Sequence, residues 1–239
     1  MSRALRTAVG GLAYHVLNRA VGRRTLFHTT RDYAAFVDAV AETLRARSMR
    51  ICGYCVMPNH WHMVLWPEHD GELSVFVQYL TNLHVKRWKW SHHEIGEGHL
   101  YQGRFKSFPI QTEAYFHTAM RYVERNPLRA QLVTRAEEWP WSSLGQVTTA
   151  EPIPLSVWPI HEQSHHRTSH WIQCVNSPQT EGELSALRTC IRRGRPFGSE
   201  LWVENTAKRL HLDLTLRPRG RPRKKPSLPS QPDVANVLR

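Results

Sequence analysis

Residues 13–18 alternate between apolar and polar positions, the two-residue period of a half-buried strand. From residue 31 to 47 the period lengthens. Tyr33, Phe36, Val37, Val40, Ala41 and Leu44 recur at three- and four-residue spacing, which predicts a helix with Thr30 as its N-cap. Residues 49–57 read as a buried strand, Pro58-Asn59 as a turn, and residues 60–66 as a second strand closed by Pro67. Leu73, Phe76, Val77, Leu80, Leu83 and Trp88 mark an amphipathic helix over 73–90 with a basic end. Residues 98–111 give an irregular lead-in and a strand at about 105–110. A helix then runs from Thr112, its predicted N-cap, to about Arg125, and Asn126-Pro127 stops it. This order predicts an α+β fold, a ferredoxin-like sandwich in which an antiparallel sheet carries helices mainly on one face.

The pattern weakens after residue 145. Residues 146–170 are rich in Pro, Thr, Ser and His, and helical periodicity returns at 182–192 and 199–211. The expected organisation is a main domain at 1–145, a loosely structured linker at 146–180 and a basic, mostly helical extension at 181–239. The two extension helices could pair as a small helix-turn-helix-like unit.

Composition narrows the partners. The 239 residues are 41% hydrophobic, enough for a packed core, while 32 Lys+Arg against 20 Asp+Glu leave a formal charge of +12. Such a surface suits a polyanion such as nucleic acid, or an anionic membrane surface. No run of eighteen apolar residues exists to span a bilayer, and the N-terminus lacks the apolar stretch of a signal peptide. Four unevenly placed cysteines do not form a disulfide framework. A reducing cytoplasmic setting, with association to the nucleoid, is expected.

The chemistry centres on His60-Trp61-His62. On a strand, His60 and His62 face one way and Trp61 the other, so two imidazoles on one rigid element could share a divalent ion. Fifteen histidines would supply roughly one such triplet by chance, so the pair needs a context. Tyr122 and Asn126, four apart near a helix end, share a face and supply a phenol and a hard amide oxygen. Tyrosine ionises only near pH 10 in water, so a nucleophilic role requires help from a cation or a base. The alternative is a half-buried core tyrosine and a helix-terminal asparagine before proline. Tyr115 is a rival nucleophile on a similar helical face, but the position four residues on is Ala119.

Three separated segments, Met57-Pro58-Asn59-His60-Trp61-His62, Tyr122-Val123-Glu124-Arg125-Asn126-Pro127-Leu128-Arg129-Ala130 and Trp139-Pro140-Trp141-Ser142-Ser143, resemble the single-tyrosine HUH transposases. Within these the chain is most similar to the transposases associated with repetitive extragenic palindromes (REP), over residues 10–145. The resemblance implies a ferredoxin-like catalytic domain that cleaves and rejoins single-stranded DNA near imperfect hairpins, using Mg²⁺ or Mn²⁺. The metal ligands would be His60, His62 and Asn126, and the nucleophile Tyr122, passing through a 5′-phosphotyrosine. Because imidazoles must be neutral to bind metal, activity is expected to fall in mild acid. A hairpin-binding protein or repressor that has lost the chemistry is the alternative, and monomer and homodimer are both open.

Further residues have two readings each. Arg104 and Lys106 could contact phosphate or simply sit on a solvated strand edge. Lys86-Arg87-Trp88-Lys89-Trp90 interleaves cations with aromatics, as a single-strand binder would, or closes a helix whose dipole favours cations. Cys52 and Cys55 read as inert core thiols. His161, His165, His166 and His170 read as polar linker residues rather than a zinc cluster. Arg217, Arg219, Arg221, Arg223, Lys224 and Lys225 form a tail similar to an AT-hook, suited to a narrow minor groove or to phosphates generally.

Overall fold

The computed structural model describes residues 8–148 and 169–217. Four strands, β1 (Ala13–Arg19), β2 (Arg50–Met57), β3 (His60–Trp66) and β4 (Lys106–Ile110), pair antiparallel in the order β2-β3-β1-β4. Helix α1 (Thr30–Ala46) links β1 to β2, and α2 (Glu72–Ser91) links β3 to β4, which is the ferredoxin-like layout the spacing predicts. The N-cap of α1 is Thr29 rather than Thr30. Thr29 accepts from the Asp32 amide while Asp32 reaches back, closing a capping box.

Alternation along the strands divides their side chains between two cores. Tyr14, Val16, Tyr54, Val56, Trp61, Met63 and Leu65 pack with Phe36, Val40, Phe76 and Leu80 of α1 and α2. Ala13, Cys52, Cys55, Val64, Phe108 and Ile110 pack on the opposite face with Phe116, Ala119, Met120 and Val123 of α3 (Ala114–Glu124). A register shift in β2 between Ile51 and Gly53 turns Cys52 and Cys55 to the α3 side. At Gly53 a Cβ would collide with the Met120 side chain, so glycine permits the close approach of α3.

Helix α3 begins at Ala114 with Glu113 as N-cap at φ 66°, one residue later than a cap at Thr112 would have started it. Asn126-Pro127 does not end the helical path. After Arg125 the chain makes one more turn, α4 (Asn126–Arg129), with Pro127 in its first turn, where a missing N–H costs little.

Both sheet edges are covered. Along β2, Val56 N–H donates to Trp141 at 2.8 Å and Ser143 N–H to Tyr54 at 2.9 Å, so the Trp-Pro-Trp-Ser-Ser segment acts as a short fifth strand before α5 (Gly145–Thr148). Along β4, Gln111 N–H donates to Phe197 at 2.8 Å and Phe197 N–H to Pro109 at 2.9 Å.

The extension folds as α6 (Ser169–Asn176), α7 (Glu181–Arg193) and α8 (Glu200–Arg209). The last two match expectation in position but not in pairing. Helix α7 packs chiefly on α3 and β4, and α8 on the 3-10 turn that follows it, so no helix-turn-helix unit forms. Residues 169–180, expected within a loose linker, are structured against α3. Arg121 donates to the carbonyls of Ser177 (2.7 Å) and Pro178 (2.8 Å), and Arg125 to those of Val175 (2.8 Å) and Asn176. These carbonyls lie at and just beyond the negative end of α6, where cations are favoured. Among the described residues no helix is long and apolar enough to cross a membrane.

Candidate active site

Strand β3 places His60 and His62 on the α3 side of the sheet, and Trp61 on the other, where it is fully buried. His60 lies opposite Arg19, and His62 opposite Leu17, across the β1 pairing. The two imidazole rings stand 4.8 Å apart, centroid to centroid, and nearly perpendicular. Helix α3 brings the Tyr122 ring edge-on to His62 at 6.0 Å and to His15 at 6.1 Å. The additional turn α4 then folds Arg129 back over the phenol, its guanidinium carbon 4.1 Å from the ring centroid. Arg129 also donates to the Asn126 side-chain oxygen at 2.8 Å, which ties Asn126 to the same spot. All four residues singled out from the sequence therefore converge.

Three members of the cluster were not anticipated. His15 stacks on His62 at 5.0 Å, with its Nε2 2.9 Å from His62 Nδ1. A strand-parity reading of residues 13–19 would have put His15 and Arg19 on one face, but nothing in the sequence says which face carries the site. Arg19 and Arg129 are the other two. The first is set by β1–β3 register, the second by a helical turn that Pro127 was expected to forbid.

Burial governs the charge state. His15 and His60 are pushed down to about 3, mainly by desolvation, with neighbouring His60, and Arg19 and Arg129, adding to it. His62 lies well below its ordinary range for the same reason, with His60, His15 and Arg129 contributing. The three imidazoles are thus neutral through mild acid, and the expected loss of metal binding there does not follow.

The donor set suits a divalent ion. His60 Nδ1 sits 2.6 Å from the Asn59 side-chain oxygen, to which it can donate, leaving Nε2 with its lone pair. His62 Nδ1 can likewise donate to His15 Nε2, again leaving Nε2 free. Such outer partners fix tautomer and orientation in metal-binding histidines. Asn126 adds an oxygen with a second lone pair, while its buried Nδ2 has no partner among the described residues. Among the described residues no group of three or more His, Cys, Asp or Glu side chains could hold a metal ion, so a third protein ligand beside His60 and His62 would be of another donor type, such as the Asn126 amide oxygen.

Glu124 anchors the helix that carries the phenol. It is fully buried, accepting from Ser143 Oγ at 2.6 Å and from Trp171 Nε1 at 2.8 Å. Trp139-to-Ser143 and α6 thereby fix the rotation and height of α3. Tyr115, the rival nucleophile, packs edge-on to Phe197 at 5.2 Å, about two helical turns from Tyr122.

The other predicted residues distribute as follows. Lys106 opens β4 opposite Leu17, exposed and on the site face, about two strand spacings from His62. Arg104 is exposed just before it. The run at 86–90 lies at the end of α2, across the sheet from the site. There Trp88 is a core residue that donates to the Leu26 carbonyl at 2.7 Å and stacks on His92 at 4.0 Å, so it offers no free face to a base. Arg87 pairs with Glu42, Lys89 bonds the Gly98 carbonyl at 2.7 Å, and Lys86 is exposed. Arg217 is exposed. Arg219, Arg221, Arg223, Lys224 and Lys225 lie outside the described residues, as do His161, His165 and His166, while His170 is exposed. Cys52 and Cys55 are free and buried, and burial pushes the Cys52 thiol up to about 12, so both are inert core residues as expected.

Comparison with known proteins supports the same picture. Residues 8–126 match the family "Transposase IS200 like". A REP-associated tyrosine transposase of Escherichia coli is 26% identical over 140 residues, covering 56% of this chain and 76% of that one. A Haemophilus influenzae chain assigned by name to the same group is 22% identical over 153 residues, covering 61% and 86%. A solved REP-associated tyrosine transposase, bound to a REP hairpin, superposes with a TM-score of 0.52 at 22% identity, covering 69% of this chain and 96% of that one, which establishes the shared fold. The match assigns residues 8–126 of the chain to the IS200-like transposase family.

Proposed function

We propose that the protein cuts and rejoins single-stranded DNA at hairpin-forming palindromic repeats, with Tyr122 as the covalent nucleophile. The observation that carries this is the meeting of Tyr122 with His62 at 6.0 Å, ring to ring, on a buried patch that also holds His60 and Asn126. The relatives named as REP-associated tyrosine transposases, one of them solved with a REP hairpin, supply the substrate class.

His60, His62 and Asn126 would hold Mg²⁺ or Mn²⁺, which when bound supplies Lewis-acid polarisation of the scissile phosphate. With His60 Nδ1 donating to Asn59 and His62 Nδ1 donating to His15, each imidazole would keep its Nε2 available. Tyr122 Oη attacks phosphorus, a new O–P bond forms, and the bond to the 3′ oxygen breaks, releasing a 3′-hydroxyl and leaving a 5′-phosphotyrosine. One phosphodiester replaces another, so a DNA 3′-hydroxyl can reverse the step without a nucleotide cofactor. Glu124, locked by Ser143 and Trp171, keeps α3 from carrying the phenol away from the histidines.

The test uses the full chain, Mn²⁺ and a panel of single-stranded hairpin oligonucleotides. A covalent protein–DNA species should form with wild type and not with Tyr122→Phe, while Tyr115→Phe should retain it. Persistence of the adduct in Tyr122→Phe would refute the nucleophile. Cleavage with free 5′-phosphate and no adduct would indicate a water-using hydrolase instead, and hairpin binding without either product would indicate a non-catalytic binder.

A further inference from the structure

Three buried side-chain nitrogens around Tyr122 have no hydrogen-bond partner among the described residues: Arg19 Nε, Arg129 Nη1 and Asn126 Nδ2. Buried donors left unpaired are uncommon and costly, so a cluster of them points to a ligand that completes their bonds. The two guanidiniums make the case sharper. Neither forms a salt bridge with a carboxylate among the described residues, and both bear electrostatically on Tyr122 and on His60. Each is a partly buried cation that other arginines oppose, Arg23 for Arg19 and Arg188 and Arg125 for Arg129, and each lacks the carboxylate partner that buried charge normally has. A dianion-like or monoanionic tetrahedral group entering beside Tyr122 would relieve both deficits at once.

We propose that Arg19 and Arg129 form an anion pocket for the scissile phosphate, binding its non-bridging oxygens beside Tyr122. This rests on the reading of Tyr122 as nucleophile and adds to it two residues from elements other than the helix and strand that carry the phenol and the imidazoles. Arg19 ends β1 opposite His60, so the sheet register fixes its base. Arg129 is held by the Tyr122 ring and, through Nη2, by the Asn126 oxygen, which leaves Nη1 buried and without a hydrogen-bond partner among the described residues. Planar guanidinium forks match the geometry of phosphate oxygens, and fixed donors of this kind stabilise charge that grows in the transition state. Arg129 therefore has two tasks: it presses on the phenol ring, and it offers a free N–H to the group the phenol attacks.

The experiment measures single-turnover adduct formation on the hairpin panel with Mn²⁺ for wild type, Arg19→Gln, Arg129→Gln, Arg129→Lys and Arg129→Ala, alongside Mn²⁺ affinity by calorimetry and thermal melting. Each Gln variant should slow adduct formation by about 100-fold, as loss of one fixed oxyanion donor does elsewhere. Mn²⁺ affinity should stay within about threefold for Arg19→Gln, Arg129→Gln should lower it as well through the lost bond to the Asn126 oxygen, and Arg129→Lys should recover part of the rate through charge alone. Added guanidinium ion should partly rescue Arg129→Ala, which a merely structural role would not allow. If wild type forms no adduct, the nucleophile reading falls and this pocket with it. If wild type forms the adduct and folded Arg19→Gln and Arg129→Gln match its rate, the pocket alone is overturned. Should Arg129→Gln not fold, Arg19→Gln and Arg129→Lys still decide between those outcomes.

Discussion

The two faces of one sheet have been given opposite tasks by alternate residues of the same strands. On the α1/α2 face, Tyr14, Val16, Trp61, Met63 and Leu65 close a dry core. On the α3 face, their neighbours His15, His60 and His62 make a buried polar cluster bordered by half-buried Arg19, with side-chain nitrogens left unpaired among the described residues. Stability is concentrated where polar atoms are few, and the proposed chemistry where the fold leaves donors unpaired among the described residues. A protein can carry such a patch because the sheet beneath it is held from behind.

Acid should separate the faces most strongly. His15 and His60, both on the α3 face, are pushed down to about 3 in the folded protein, against 6.5 in an unfolded chain, because burial disfavours the charged form. The unfolded state then binds protons that the native state refuses. Stability from these groups is whole above pH 6.5 and is lost as pH falls toward 3. At pH 5 each should lower the unfolding free energy by roughly 2 kcal/mol, less where the coupled site histidines share a proton. Urea melts of metal-free protein between pH 7.5 and 5 would measure it. A flat profile would mean that the site opens to water.

Substitution separates the faces next. Trp61→Ala empties a fully buried site on the apolar face and should cost about 3–5 kcal/mol. His62→Gln, its strand neighbour on the other face, should cost about 1 kcal/mol yet abolish Mn²⁺ binding seen by calorimetry. Equal destabilisation by the two would erase the division of labour.

Surface charge gives the smallest effect. Lys106→Ala, on the site face, should weaken hairpin binding severalfold and reduce the slope of log affinity against log salt by about 0.7–0.9, the loss of one phosphate contact. Lys86→Ala, across the sheet, should change neither. The reverse result would move the DNA path to the α2 side.

The sequence made half of this readable. Strand parity put His60 and His62 on one side, and helical spacing put Tyr122 with Asn126. What it could not supply was the register between β1 and β3, which makes Arg19 a neighbour of His60, or the further turn after Pro127 that returns Arg129 to the phenol. Trp88 was open to misreading for a different reason. Its place on the apolar stripe of α2 already argued for burial, and the cations beside it drew attention to the wrong partner. Helix α6 was hidden because its anchor, the bond from Trp171 to Glu124, joins residues 47 apart in the chain, beyond the reach of local periodicity.

The central claim is that the phenol beside the histidines is the one that reacts. Trypsin cuts after Arg121 and so places Tyr115 and Tyr122 on different peptides. Mass spectrometry of the trapped protein–DNA species should find the nucleotide on the peptide beginning at Tyr122. Nucleotide on the peptide containing Tyr115, or on neither, would contradict the account.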